Sequence, residues 1–132
     1  MRTDQKYGPN TAQVERLIAR VGKLDLAATR ALAYAWDATD EEAVGDAIYS
    51  TVSAVWDEPT KMVLDQARWA ALNRAGRDIV AGTPFAHLAS ASEALWYATV
   101  ALVLQDLASP DDVVTLVTPV ASVLGCFWEE EQ

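Results

Sequence analysis

Apolar residues recur along the chain at helical spacing. Val14, Leu17, Ile18 and Val21 stand at i, i+3, i+4 and i+7, one stripe on a helix running from Asn10 to about Val21. Asn10 occupies the N-cap position with Gln13 at capping-box spacing, and Gly22 ends the helix. A second helix spans Leu26 to Ala38, capped by Asp25, with Leu26, Leu32, Ala33 and Trp36 on its apolar side. Thr39 followed by Glu42 reads as the capping box of a third helix, which runs to about Trp56 and turns Val44, Ile48, Thr51, Val52 and Val55 inward. Its first turns carry Asp40, Glu41, Glu42 and Asp46, where the helix dipole favours negative charge.

The fourth helix, from about Thr60 to Val80, follows Asp57 and Pro59 and faces Val63, Ala67, Ala70 and Ala71 inward. Gly76 weakens its middle and marks Asn73–Gly76 as a candidate break. Thr83-Pro84 opens a fifth helix that extends to about Leu107 and is apolar on nearly all sides over ALWYATVALVL. Ala91, Ala94, Ala98 and Ala101 line one face of it with small side chains, so a neighbouring helix can approach closely. Ser109-Pro110 repeats the start signal, and Thr118-Pro119 is expected to break or restart the last helix. No segment alternates as a strand would. The pattern predicts an all-α chain: an exposed arm over 1–9, a single bundle over 10–128 made of five long helices plus a short C-terminal helical pair, and an acidic tail over 129–132. Short connections predict antiparallel neighbours.

Charge changes this picture in one respect. Residues 1–34 hold six basic and three acidic residues, whereas residues 35–132 hold four and sixteen, so a net +3 precedes a net −12 and the chain totals −9. A basic N-terminal segment lying on an acidic body, in cis or across a dimer, follows from that split. Net negative charge argues against direct nucleic-acid binding. The longest apolar run, Ala94 to Leu104, is too short for a bilayer, and MRTDQKYGPN contains no apolar signal core, so a cytoplasmic protein without membrane contact is expected.

The five tryptophans stand at irregular spacing, in AWDA, VWDE, RWAA, LWYA and FWEE. The YGPNTAQVERLIARVGKL opening, the AWDA word and the ALVLQDLASPDDVVTLVTPVASVLG ending resemble small Ala- and Trp-rich all-helical proteins of actinobacteria and their phages. That resemblance implies a helical fold and carries no activity.

Candidate chemistry is sparse. His87, the one histidine, has Ser90 and Ala91 where a carboxylate partner would stand on a helix, and Pro84 excludes an E-x-x-H motif. Cys126 has no base near it in sequence and reads as a small buried hydrophobe. Glu42 and Asp46 share a helix face, but Asp65 and Asp78 do not form the second pair that a carboxylate-held Mg²⁺ needs. Arg74 and Asp78 are spaced as a surface ion pair. No phosphate-binding glycine loop or nucleophile elbow is present. No catalytic, cofactor-binding or metal-binding residue is therefore assigned, and no cofactor is expected, with a metal-dependent hydrolase the residual enzymatic possibility. The expected role is a non-enzymatic helical module for protein interaction or oligomerisation, with a homodimer as the expected assembly. Trp36, Trp56, Trp69, Trp96, Tyr97 and Trp128 are the candidate interface or pocket residues. The alternatives are a small apolar-ligand binder with a Trp-lined pocket, and an acidic decoy that imitates nucleic acid.

Overall fold

The computed structural model describes residues 10–21, 25–53, 58–79 and 85–125. Six α-helices follow one another: α1 (Thr11–Val21), α2 (Leu26–Asp37), α3 (Glu41–Val52), α4 (Glu58–Ile79), α5 (Phe85–Val103) and α6 (Pro110–Leu124). No strand occurs among the described residues. The predicted arm over 1–9 and tail over 129–132 lie outside them, as do Trp56, Cys126, Trp128 and the side chains of Arg74, Arg77, Asp78 and His87.

Helix α5 is the centre, packed against each of the other five helices. Its run from Ala98 to Leu104 is buried throughout, and Leu95, Leu102 and Leu104 are among the largest fully buried side chains. The small face exists as read: Ala91, Ala94, Ala98 and Ala101 are all buried, as are Ala33 on α2 and Ala67 and Ala71 on α4, two helices that pack on α5. Small residues on helices in contact let the backbones approach, so that dispersion contacts replace side-chain bulk. The α1 stripe is also as read, with Val14, Leu17 and Val21 buried and Ile18 half-buried.

Several boundaries differ from the sequence expectation, each for a local chemical reason. The cap of α3 is Asp40, not Thr39: the Asp40 carboxylate accepts from the backbone N–H groups of Glu42 and Ala43 at 3.0 and 3.4 Å. Thr39 instead donates its hydroxyl to the Trp36 carbonyl at 2.7 Å and closes the end of α2. The third helix stops at Val52, where Ser53 folds its hydroxyl back onto the Ser50 carbonyl at 3.0 Å. Leu26 is exposed, and α2 buries Thr29, Leu32 and Ala33; the Thr29 hydroxyl is satisfied by the Asp25 carbonyl at 2.8 Å. Helix α4 continues through Asn73–Gly76 without a break.

The end of α5 and the whole of α6 depart further. Helix α5 stops at Val103, four residues short of Leu107, and residues 104–107 form turns. Helix ends leave carbonyls unpaired, and here side chains take them: Asn10 donates its amide to the Val103 carbonyl at 3.2 Å and to Asp106 at 2.8 Å, while Gln105 donates to the Leu102 carbonyl at 3.2 Å. The expected C-terminal pair is one continuous helix, because Pro119 sits inside α6 without ending it. Pro119 is buried, and so are Leu116, Val117 and Val120 around it, so apolar packing offsets the backbone hydrogen bond that a proline removes.

One residue of the basic N-terminal segment, Arg20, reaches the C-terminal end of α6 in the same chain. Arg20 donates to the Leu124 carbonyl at 2.8 Å, at the C-terminal end of α6. The next residue, Gly125, has φ +89° and ψ 168°, a region essentially reserved for glycine. A Cβ there would stand 3.1 Å from Arg20 Nη1. Gly125→Ala is expected to cost about 1–3 kcal/mol in a urea unfolding titration. Most of that loss should persist when Arg20 is also shortened to Ala, because the larger part is backbone strain rather than the steric contact.

Candidate functional site

The site grows from two consecutive residues of α5. Successive positions on a helix diverge by about 100°, so Trp96 and Tyr97 leave α5 toward different neighbours. Tyr97 stacks on Trp36 of α2, with ring centroids 5.8 Å apart and planes within 8°. Trp96 meets Trp69 of α4 edge-on at 5.7 Å and 87°. Four of the six candidate aromatic residues are thus brought together, in two pairs; Trp56 and Trp128 lie outside the described residues.

Polar side chains fix the α2 side. Glu93, one turn before Tyr97 on α5, accepts from the Trp36 indole N–H at 3.0 Å. Ser90, almost two turns before Tyr97, donates to Asp37 at 2.9 Å. Ser90, Glu93 and Tyr97 stand at i, i+3 and i+7, so one stripe of α5 grips the last turn of α2 through two hydrogen bonds and a ring stack.

Arg68 fixes the α4 side. Its guanidinium carbon lies 3.5 Å from the centroid of a Trp96 ring, a cation–π contact. Asp65, one turn back on α4, approaches Nη1 at 3.6 Å, but Asp65 is itself largely exposed. The Arg68 side chain is only 20% exposed, and its Nε is buried without a hydrogen-bond partner. Burial pulls the Arg68 pKa below its ordinary value, against the raising influence of Asp65 and then Tyr97. Leaving water without full compensation is costly for a guanidinium.

Helix α3 completes the arrangement from above. A groove of about 510 Å³ is bounded by Ile48, Tyr49 and Val52 on α3, Arg68 on α4, and Trp96 and Tyr97 on α5. A second depression of about 460 Å³ continues it toward α2 and is bordered by Trp36, Asp37, Glu41 and Glu93. Gly45 and Ile48 border both. A Cβ on Gly45 would meet nothing within 4 Å, so the channel is open at the join. One end is therefore acidic, the other carries Arg68, and the middle is aromatic. Large apolar side chains stand exposed on these helices: Tyr49 (77% exposed) and Val52 (43%) on the groove wall, Trp69 (56%) beside Trp96, and Met62 (60%) elsewhere on α4.

A separate cavity of about 380 Å³ lies where Thr39 and Val44 face Val114, Thr118 and Pro119 of α6. Its hydroxyls are turned to backbone carbonyls: Thr39 to Trp36, Thr115 to Asp111, Thr118 to Val114 and Ser122 to Pro119. The charged residue on its lining, Asp40, is engaged as the N-cap of α3.

Sequence reasoning passed over Arg68 and Gly45. The signal for Arg68 was present, since Leu64, Arg68 and Ala71 follow helical spacing and place a cation at the margin of the buried stripe of α4. Among the described residues no group of three or more His, Cys, Asp or Glu is arranged to hold a metal ion, and no helix is long and apolar enough to cross a membrane. No protein-family model matches the chain, and no curated protein or solved structure matches it either.

Proposed function

We propose that this protein is a non-enzymatic helical module that pairs with a second copy of itself through the α3–α4–α5 face. The observation that carries the proposal is the exposure of Tyr49 and Val52 on the groove wall, of Trp69 beside Trp96, and of Met62 on the same helix as Trp69. Aromatic side chains each bury about 150–250 Å² when covered and dominate interface energetics. Tyr49 and Trp69 at more than half exposure leave much of that gain unrealised in the single chain.

The charge layout favours a second copy as the occupant. A two-fold axis lying in the plane of the interface and crossing the groove at right angles sets two grooves face to face and antiparallel. Arg68 of each chain then approaches the end that carries Asp37, Glu41 and Glu93 in the other, so the face is complementary to itself. Pairing in this orientation places opposite charges together although each chain carries −9 overall.

Sedimentation at micromolar concentration tests it. The native chain is expected to be a dimer, and Tyr49→Asp and Met62→Asp are expected to be monomers. Both positions are exposed, so both variants should keep the native helical spectrum and melting behaviour. A native chain that is monomeric at every concentration overturns the proposal, and so does a dimer that survives both substitutions.

A further inference from the structure

We propose that the Arg68–Trp96 end of the groove is a binding site for a small planar carboxylate, an aromatic or conjugated monoacid whose carboxylate pairs with Arg68 and whose ring lies among Trp96, Tyr97 and Ile48. The inference goes beyond self-association: it concerns the groove of the single chain, and a bound ligand and a second copy compete for Arg68.

Three observations converge on that class of ligand. The first is size and lining: about 510 Å³ falls within the roughly 300–1,000 Å³ of small-molecule sites, and Ile48, Tyr49, Val52, Tyr97 and Val100 supply apolar walls. The second is the cation. The Arg68 side chain is mostly buried, rests on the Trp96 ring, and is matched only by a long contact to the exposed Asp65. A guanidinium held against a ring loses little further freedom when it binds, and its planar fork suits a carboxylate better than a spherical anion. The third is the surrounding field. A single guanidinium at this groove in a chain of −9 matches a monoanion, whereas a dianion such as a phosphate monoester meets repulsion from the acidic body. Glu41 and Glu93 at the opposite end further disfavour a second negative group along the groove.

Gly45 supplies the control. It borders the groove, sits inside α3, and has open space where a side chain would go. Gly45→Leu therefore fills the channel while replacing glycine by a better helix former, so it should block binding without unfolding the protein.

The experiment is a calorimetric titration with 2-naphthoate and its neutral counterpart 2-naphthylmethanol. Both are titrated into the native chain and into Met62→Asp, whose substituted side chain does not border the groove; loss of pairing is thereby separated from loss of binding. The carboxylate is expected to bind about tenfold or more tightly than the alcohol, the difference of one charge-assisted hydrogen-bonded pair. Arg68→Met should bring the two affinities together by weakening the carboxylate alone, and Gly45→Leu should abolish both. Equal affinities in the native chain, a preference that survives Arg68→Met, or no saturable binding of either probe in both the native and Met62→Asp chains would each overturn the inference. If Arg68→Met fails to fold, the native carboxylate-to-alcohol ratio and the Gly45→Leu block still decide it.

Discussion

Leu102→Asp is expected to abolish folding. Leu102 is fully buried on α5, the one helix that touches all the others. An aspartate there either carries an unpaired charge into the core or takes up a proton to avoid it, and both cost free energy. The loss is expected to reach about 4 kcal/mol or more, close to the whole of the roughly 5–15 kcal/mol that holds an ordinary domain together. Circular dichroism in water should show a largely unfolded chain. Leu107→Asp makes the same chemical change five residues on, at an exposed position beyond the end of α5, and should leave the melting curve nearly unchanged. Equal tolerance of the two would mean that α5 is not the centre of the bundle.

Overfilling the same helix should be nearly as damaging. Ala98 is fully buried on the small-residue face. Ala98→Phe has to push α5 away from its neighbours or force side chains off their rotamers, at a cost of about 3 kcal/mol or somewhat more. Ala89→Phe, at an exposed position of the same helix, should change little. Urea titrations of the two variants give the comparison directly. A nearly neutral Ala98→Phe would show that the small face has room to spare, and close backbone approach would then not be what joins these helices.

Local chemistry was legible in the sequence wherever a helix end depends on its own neighbours. Asp25 accepts from the Ala28 N–H and Ser109 from the Asp112 N–H, as their sequence settings indicate. It was not legible where an end depends on a distant residue. Nothing near Val103 announces that α5 ends there, because the side chain that takes its carbonyl belongs to Asn10. Pro119 was misleading for the same reason, since only tertiary burial makes a mid-helix proline tolerable. For the site, the aromatic residues were visible as types, but their pairing was not. Whether Trp36 meets Tyr97 or Trp96 depends on the relative rotation of α2 and α5, and no single-chain periodicity carries that information. Arg68 was visible as a cation at the margin of the apolar stripe of α4, but its contact with Trp96 of α5 was not.

The two polar links made by α1 bear on the order in which the molecule assembles. Asn10 and Arg20 bond partners 93 and 104 residues away in the chain, at the C-terminal ends of α5 and α6. During synthesis α1 leaves the ribosome first, yet both of its links wait for the last helices. A contact of such long sequence separation costs more loop-closure entropy than any between adjacent helices. The α1 stripe of Val14, Leu17 and Val21 packs on the side of α4 and α5, so the surface it docks on is incomplete until α5 has been made. Helix α1 precedes the other five helices in the chain yet completes its links only when α5 and α6 are available.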